Sequence, residues 1–196
     1  MKATIEKLGL SVQGGQIVQR LIADKNRGEA GTKIGTIVAK TVKGGYLSRE
    51  DIVFNEYRAD PDLRKFTKKG DIVIKLTQPL GACLIGEGEE NLLVSSFCAI
   101  INGFEGKDID PRYLVAYLNS ERGMRQIASL MGGSTIQTIS IGSIKGMTIP
   151  YPTKKKQEEI GLAFEKRIRV EALATKLVAL EQERVDAMIS EVEEEE

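Results

Sequence analysis

Apolar residues come in short, turn-bounded runs over most of the chain and then in one long helical stripe. The first run (Ile5, Leu8, Leu10, Val12, Ile17, Val18) is broken by Gly14-Gly15, so Gly14–Arg20 reads as a turn entering a strand or a helix. Lys33–Lys40 reads as a strand, and Val42–Leu47 as a hairpin or bulge at Gly44-Gly45. Arg58–Lys69 is charged and loop-like around Pro61. Ile72–Leu76 predicts a strand that leaves the core near Lys75, turns through Thr77–Gly81 and returns as Ala82–Ile85. The near-continuous apolar run Leu92–Ile101 predicts one buried central strand. Asp110-Pro111 starts a helix with Asp as N-cap and Pro in the first turn, and Leu114, Val115 and Leu118 form its apolar face. Ser120 caps again, and Met124, Ile127, Ala128 and Met131 continue as a second helix. Beyond the Gly132–Thr135 loop, Thr135, Ile136, Thr138, Ile139 and Ile141 are β-formers and predict a short strand, with Met147–Pro150 as another.

Pro150 and Pro152 stiffen the backbone and end the compact part of the chain. Thr153 is an N-cap candidate, and from Lys154 to Ile189 no proline interrupts a helical pattern. Such a helix is about 54 Å long, more than one small domain can cover. Ala163, Val170, Leu173, Leu177, Leu180 and Ala187 recur at 3/4 spacing, interrupted by Arg184, with Ile160, Phe164 and Ile168 beside them. That is a coiled-coil-like seam. The fold class expected is α+β: a β-rich domain with short helices over 1–152, a spacer or dimerisation helix over 153–190, and an acidic disordered tail over 191–196.

Charge adds an asymmetry to this picture. Formal net charge is +0, but five of the last six residues are Glu, so the rest of the chain is basic. Between residues 20 and 49, Arg20, Lys25, Arg27, Lys33, Lys40, Lys43 and Arg49 face only Asp24 and Glu29. This window reads either as a solvated loop face or as a patch for phosphates. Lys154–Lys156 oppose the helix dipole, a conflict that Glu158, Glu159 or a phosphate would relieve. Neither a secretory signal nor a membrane-length apolar run is expected, which points to a cytoplasmic protein. Cys83 and Cys98 lie in predicted strands and are expected as buried free thiols. With no His and no CxxC, the usual metal sites are missing. Pro61-Asp62 with Glu105-Gly106-Lys107 echoes a nuclease pattern, but the second part reads as a loop. Gly28–Lys33 lacks the Gly-Lys-Ser/Thr of a phosphate-binding loop. No glycine-rich turn for S-adenosylmethionine and no Asn/Asp-Pro-Pro-aromatic motif occurs, so the chain is expected to be non-catalytic and to bind no cofactor itself.

Polar groups on turns supply the donors and acceptors that base edges and phosphates need. Lys75, Thr77 and Gln78 sit at one such turn, and Ser134, Thr135 and Gln137 at another, beside glycines that would let a backbone approach a partner or simply cap a helix. Each group also reads as an ordinary solvated turn.

Five pieces in order then resemble the specificity subunits of type I restriction–modification systems: KKGDIVIKL, LLVSSFCAII, GFEGKDIDPRYLVAYLNS, GGSTIQTISIGSIKGMTIPYP, and KKKQEEI leading into a long helix. The resemblance covers Phe66 to Met188 and is weaker over the N-terminal third. It implies a target-recognition domain that reads double-stranded DNA and a helix that spaces it from a second such domain and docks methyltransferase subunits. Usual members carry two domain–helix halves; this sequence resembles one half. The region containing Gln16 and Arg20 then falls near the DNA-facing side, and the candidate DNA contacts are Gln16, Arg20, Lys25, Arg27, Lys33, Lys43, Lys75, Thr77, Gln78, Ser134, Thr135 and Gln137. Ile160, Phe164, Val170, Leu173, Leu177 and Leu180 are the candidate homodimer or partner helix positions. A partner methyltransferase would bring S-adenosylmethionine and a translocase–nuclease subunit would bring cleavage. A stand-alone dimeric DNA-binding regulator and a metal-dependent nuclease are the competing readings.

Overall fold

The computed structural model describes residues 1–24, 28–58, 61–132 and 137–194. Nine strands form three small sheets among these residues. The central sheet has the order β2 (Ser11–Gly14), β8 (Cys98–Asn102), β5 (Ile72–Lys75), β6 (Ala82–Leu84), all antiparallel. Strand β3 (Thr32–Ile37) pairs antiparallel with β4 (Val53–Tyr57) and parallel with β7 (Leu93–Val94). Strand β1 (Lys2–Thr4) closes against β9 (Thr148–Pro150), tying the N-terminus to the end of the domain.

Residue alternation sorts the central sheet into two faces. Ile72, Ile74, Ala82, Ala99 and Ile101 join a core completed by α1 (Pro111–Leu118) and by Ile127 of α2 (Glu121–Ser129). Val73, Cys83, Cys98 and Ile100 face the other way, onto Ile37, Val42, Leu47 and Val94. The helix starts follow the sequence. The Asp110 carboxylate accepts from Arg112 N with Pro111 in the first turn, and the Ser120 hydroxyl accepts from Gly123 N.

The run Leu92–Ile101 is two strands in two sheets, where one was expected. Ser95-Ser96-Phe97 turns the chain: Cys98 N donates to Ser95 O at 2.9 Å, and Ser96 N donates to Gln16 O at 2.8 Å. Serine favours turns, and the bonds to a distant loop outweigh the apolar pattern. The strand expected through Ile141 is also absent. Thr138 makes isolated bridges to Gly132 and Thr77, and Ser140 then caps a short helix, α3 (Ile141–Gly146), through Ser143 N. The first residues of that expected strand, Thr135 and Ile136, lie outside the described residues. Strand β4, within a stretch given no element by its pattern, is held by its register with β3 rather than by an apolar alternation of its own.

The last helix, α4, runs from Lys154 to Glu194, 41 residues, and so takes in most of the stretch expected as a tail. Its first three turns belong to the domain. Gln157 is fully buried, Ile160 and Phe164 pack on the main core, and Gly161 lies so close to α1 that a Cβ there would meet Arg112 Cβ at 2.8 Å. Beyond Ile168 the helix leaves the domain.

Candidate nucleic-acid interface

The antiparallel order of the central sheet puts four strand ends, joined to three connections, at one end. Strand β2 finishes there at Gly14, β8 begins at Cys98, β5 finishes at Lys75 and β6 begins at Ala82. The Gly15–Ile17 loop, the Ser95–Phe97 turn and the Thr77–Gly81 hairpin are therefore neighbours. The chain returning from α2 joins them: Thr138 bridges to Thr77, and Ile139 N donates to Leu76 O at 2.9 Å. Gly15 is required by this packing, since a Cβ on it would lie 2.1 Å from the Ser95 carbonyl oxygen.

The sequence-predicted residues divide by place. Thr77, Gln78 and Gln137 are on this end with exposed or half-exposed side chains. Gln78 donates to Met131 Sδ at 3.4 Å, and the peptide to Pro79 is cis. Gln16 is at the same end, but its Oε1 accepts from Asp62 N at 3.1 Å, which fixes the 61–65 segment over the loop. Lys65 reinforces that fixing by donating to Gly14 O at 2.8 Å. Lys75 is not on an outgoing, solvated tip. It is 7% exposed, with its stem between the two sheets, because its position in β5 has the same parity as Val73. Lys43 approaches from the side: a Cβ on Gly81 would lie 3.6 Å from Lys43 O and 3.8 Å from Lys75 Cε. Arg20 and Lys33 belong to another region, around β3 and β4. Arg20 is exposed and its carbonyl accepts from Arg58, while the Lys33 ammonium lies 5.6 Å from the Phe54 ring centre. Lys25, Arg27, Ser134 and Thr135 lie outside the described residues.

Several groups at or beside this end were not singled out by sequence. Phe97 and Ile17 expose roughly half their surface and pack on none of the cores. Asp51 is the other: Lys40 and Lys43 of the basic window both grip it, at 3.4 and 2.9 Å. The Ser95-Ser96 pair inside the apolar run was the available signal for the first; nothing local announced the second.

Charge is unevenly compensated. The Lys43 ammonium beside it holds the Asp51 carboxyl at about 2. Arg64 does the same for Asp62, whose two oxygens it binds at 2.8 to 3.2 Å, so that carboxylate of the nuclease-like pattern is already spent on a guanidinium. Burial pushes the Lys75 ammonium below its usual range; the neighbouring Cys98 and Cys83 oppose the shift and Lys43 adds to it. The two cysteines are buried free thiols; burial raises both, Cys98 to about 12, so neither offers Lys75 a negative charge. No group of three or more acidic or thiol side chains among the described residues could hold a metal ion.

The β-rich domain gathers its turns at one sheet end and packs on the first turns of a helix that projects away from it. The comparisons give the family. The model for the type I restriction modification DNA specificity domain matches residues 30–182, and the chain belongs to that family. The M. genitalium type I restriction–modification S subunit superposes with a TM-score of 0.55 at 22% identity, over 89% of this chain and 41% of that one. The HsdS subunit from Thermoanaerobacter tengcongensis gives 0.55 at 17%, over 91% and 45%. A chain from a study of complex assembly and conformational transition of the type I R-M system gives 0.59 at 13%, over 88% and 39%. These likenesses show a shared fold, and the chain spans less than half the length of each. No curated protein matches. Among the described residues no helix is long and apolar enough to cross a membrane.

Proposed function

We propose that this chain is a non-catalytic DNA-recognition subunit of a type I restriction–modification complex, working as a homodimer of half-length subunits on a bipartite site. One observation carries the reading. Outside the domain, α4 exposes Val170, Leu173, Leu177 and Leu180 in a single seam, with Leu173 68% and Leu177 61% exposed. A recurrent apolar seam left in water is a helix without its partner. An antiparallel pair centred between 178 and 179 matches Leu177 with Leu180 and Val170 with Ala187, and sets Lys166 against Glu191. The two domains then stand at opposite ends of the coiled coil, each facing one half-site.

In this arrangement the loops at the sheet end read sequence and cationic groups set affinity through phosphates. A methyltransferase subunit, carrying S-adenosylmethionine, supplies the methylation chemistry. A translocase–nuclease subunit supplies cleavage. The deciding experiment is the methylation pattern of DNA in cells that co-express this chain and its methyltransferase. A palindromic motif split by a fixed gap is the expected result. An asymmetric split motif means that a different half pairs with this one. No methylation by a chain that still binds DNA makes it a stand-alone regulator and overturns the proposal.

A further inference from the structure

Among the described residues, the buried acids Asp71 and Asp110 have hydrogen-bond partners, and the buried lysine, Lys75, does not. It is 7% exposed, and among the described residues no hydrogen bond or ion pair reaches its ammonium. Its register partner across the sheet is Cys98, a neutral thiol. Its charged neighbour is Lys43, itself held with Lys40 on Asp51, and Glu50 acts on Lys43 from further off. Asp51 is thus taken up by Lys40 and Lys43, and Lys75 stands beside Lys43 at the end of the sheet that also presents Thr77, Gln78 and Gln137. An unpaired ammonium on a buried stem lowers stability, and a well-packed apolar side chain of similar length would avoid that cost.

We propose that Lys75, flanked by Lys43, is a phosphodiester seat: it binds the DNA backbone and fixes the depth at which the sheet-end loops meet the duplex. This rests on the DNA-recognition reading above and refines it, because it assigns Lys75 a backbone contact and no base. A lysine whose stem is clamped between two sheets presents its ammonium at one place, which suits registration better than discrimination. The ammonium also has no fork geometry with which to read a base edge bidentately.

The test compares the parent complex with Lys75→Met in the full chain, co-purified with the methyltransferase, on a duplex carrying the motif that the methylation assay identifies. Met keeps the length and removes the charge. The expected result has three parts. Affinity falls about five- to tenfold near 0.1 M salt on cognate and unrelated DNA alike, and the slope of log affinity against log salt becomes shallower by about 0.9. The methylated motif stays the same. The melting temperature of the free chain rises by about 2 °C or more, since a charge held partly out of water on a buried stem has gone. Unchanged affinity and slope overturn the proposal, as does a changed motif at constant slope, which would make Lys75 a base contact. A fall in melting temperature overturns it too, because it would reveal a partner for the ammonium within the fold. A parent complex without DNA affinity removes the functional reading itself, and is distinguished by the parent measurement alone.

Discussion

Gln157 holds the long helix to the domain, and replacing it by Ala measures how firmly. The side chain is fully buried in the first turns of α4. Its Oε1 accepts from Asp110 N at 2.9 Å, and its Nε2 donates to Pro152 O at 3.0 Å and to Asp108 O at 3.2 Å. One amide thus serves the start of α1, the loop before it and the turn that launches α4. Gln157→Ala removes all three bonds while the helix propensity of the position is kept. At about 1 kcal/mol net for each, the loss is about 3 kcal/mol, and more if the stranded backbone groups find no water. For a chain of this size that corresponds to a melting temperature about 6 to 12 °C lower. Scanning calorimetry with urea titration at neutral pH gives the number. Gln157→Glu should cost at least as much, because it turns a double donor into an acceptor facing two carbonyls and buries a charge. A loss below about 2 °C for the alanine variant refutes the reasoning and means that the apolar contacts of Ile160 and Phe164 hold the mount alone.

Placing Asp at both Leu173 and Leu177 should halve the mass measured by light scattering while the melting of the domain is unchanged; an unaltered mass removes this seam as the dimer contact. Asp71→Asn should raise stability at pH 7, with the gain vanishing below about pH 4, as read from urea midpoints at the two pH values. Asp71 is buried and its Oδ2 accepts from Lys68 N, an acceptor role that Asn keeps. Burial raises its folded pKa above the usual 3.8, so its cost is absent below the unfolded value and grows as pH rises.

Local chemistry was the legible part of this fold. Asp110-Pro111 and Ser120 start helices where their cap chemistry says they should, and the Ile72–Leu84 hairpin pairs as its pattern predicts. Each of these is decided within a few residues, by a hydroxyl or carboxylate near an unpaired N–H or by a turn between two apolar runs. Apolar runs alone were less dependable. Leu92–Ile101 and the β-formers from Thr135 to Ile141 both read as strands, and serines redirect them: Ser95-Ser96 in a turn bound to Gln16, and Ser140 as a cap. Periodicity records that a segment is buried, and it does not record which neighbour takes its backbone bonds.

The candidate interface was harder to see because no segment contains it. Thr77, Gln78 and Gln137 share a sheet end only because β8 lies between β2 and β5 and the chain after α2 comes back to bridge Thr77. The same topology inverts the meaning of Lys75. In sequence it is the polar end of a strand, free to reach outward; in the fold it has the parity of Val73, so its stem belongs between two sheets. That inversion separates two uses of a lysine. A solvated lysine at a hairpin tip adds loose, screened attraction. One with a buried stem and no counterion holds a fixed charge at a fixed depth, and the domain bears its cost whether or not DNA is present. Such a cost persists in a fold when something outside it supplies the missing anion, and this is why the melting temperature and the salt slope of the Lys75 variant must move in opposite senses if the seat is real.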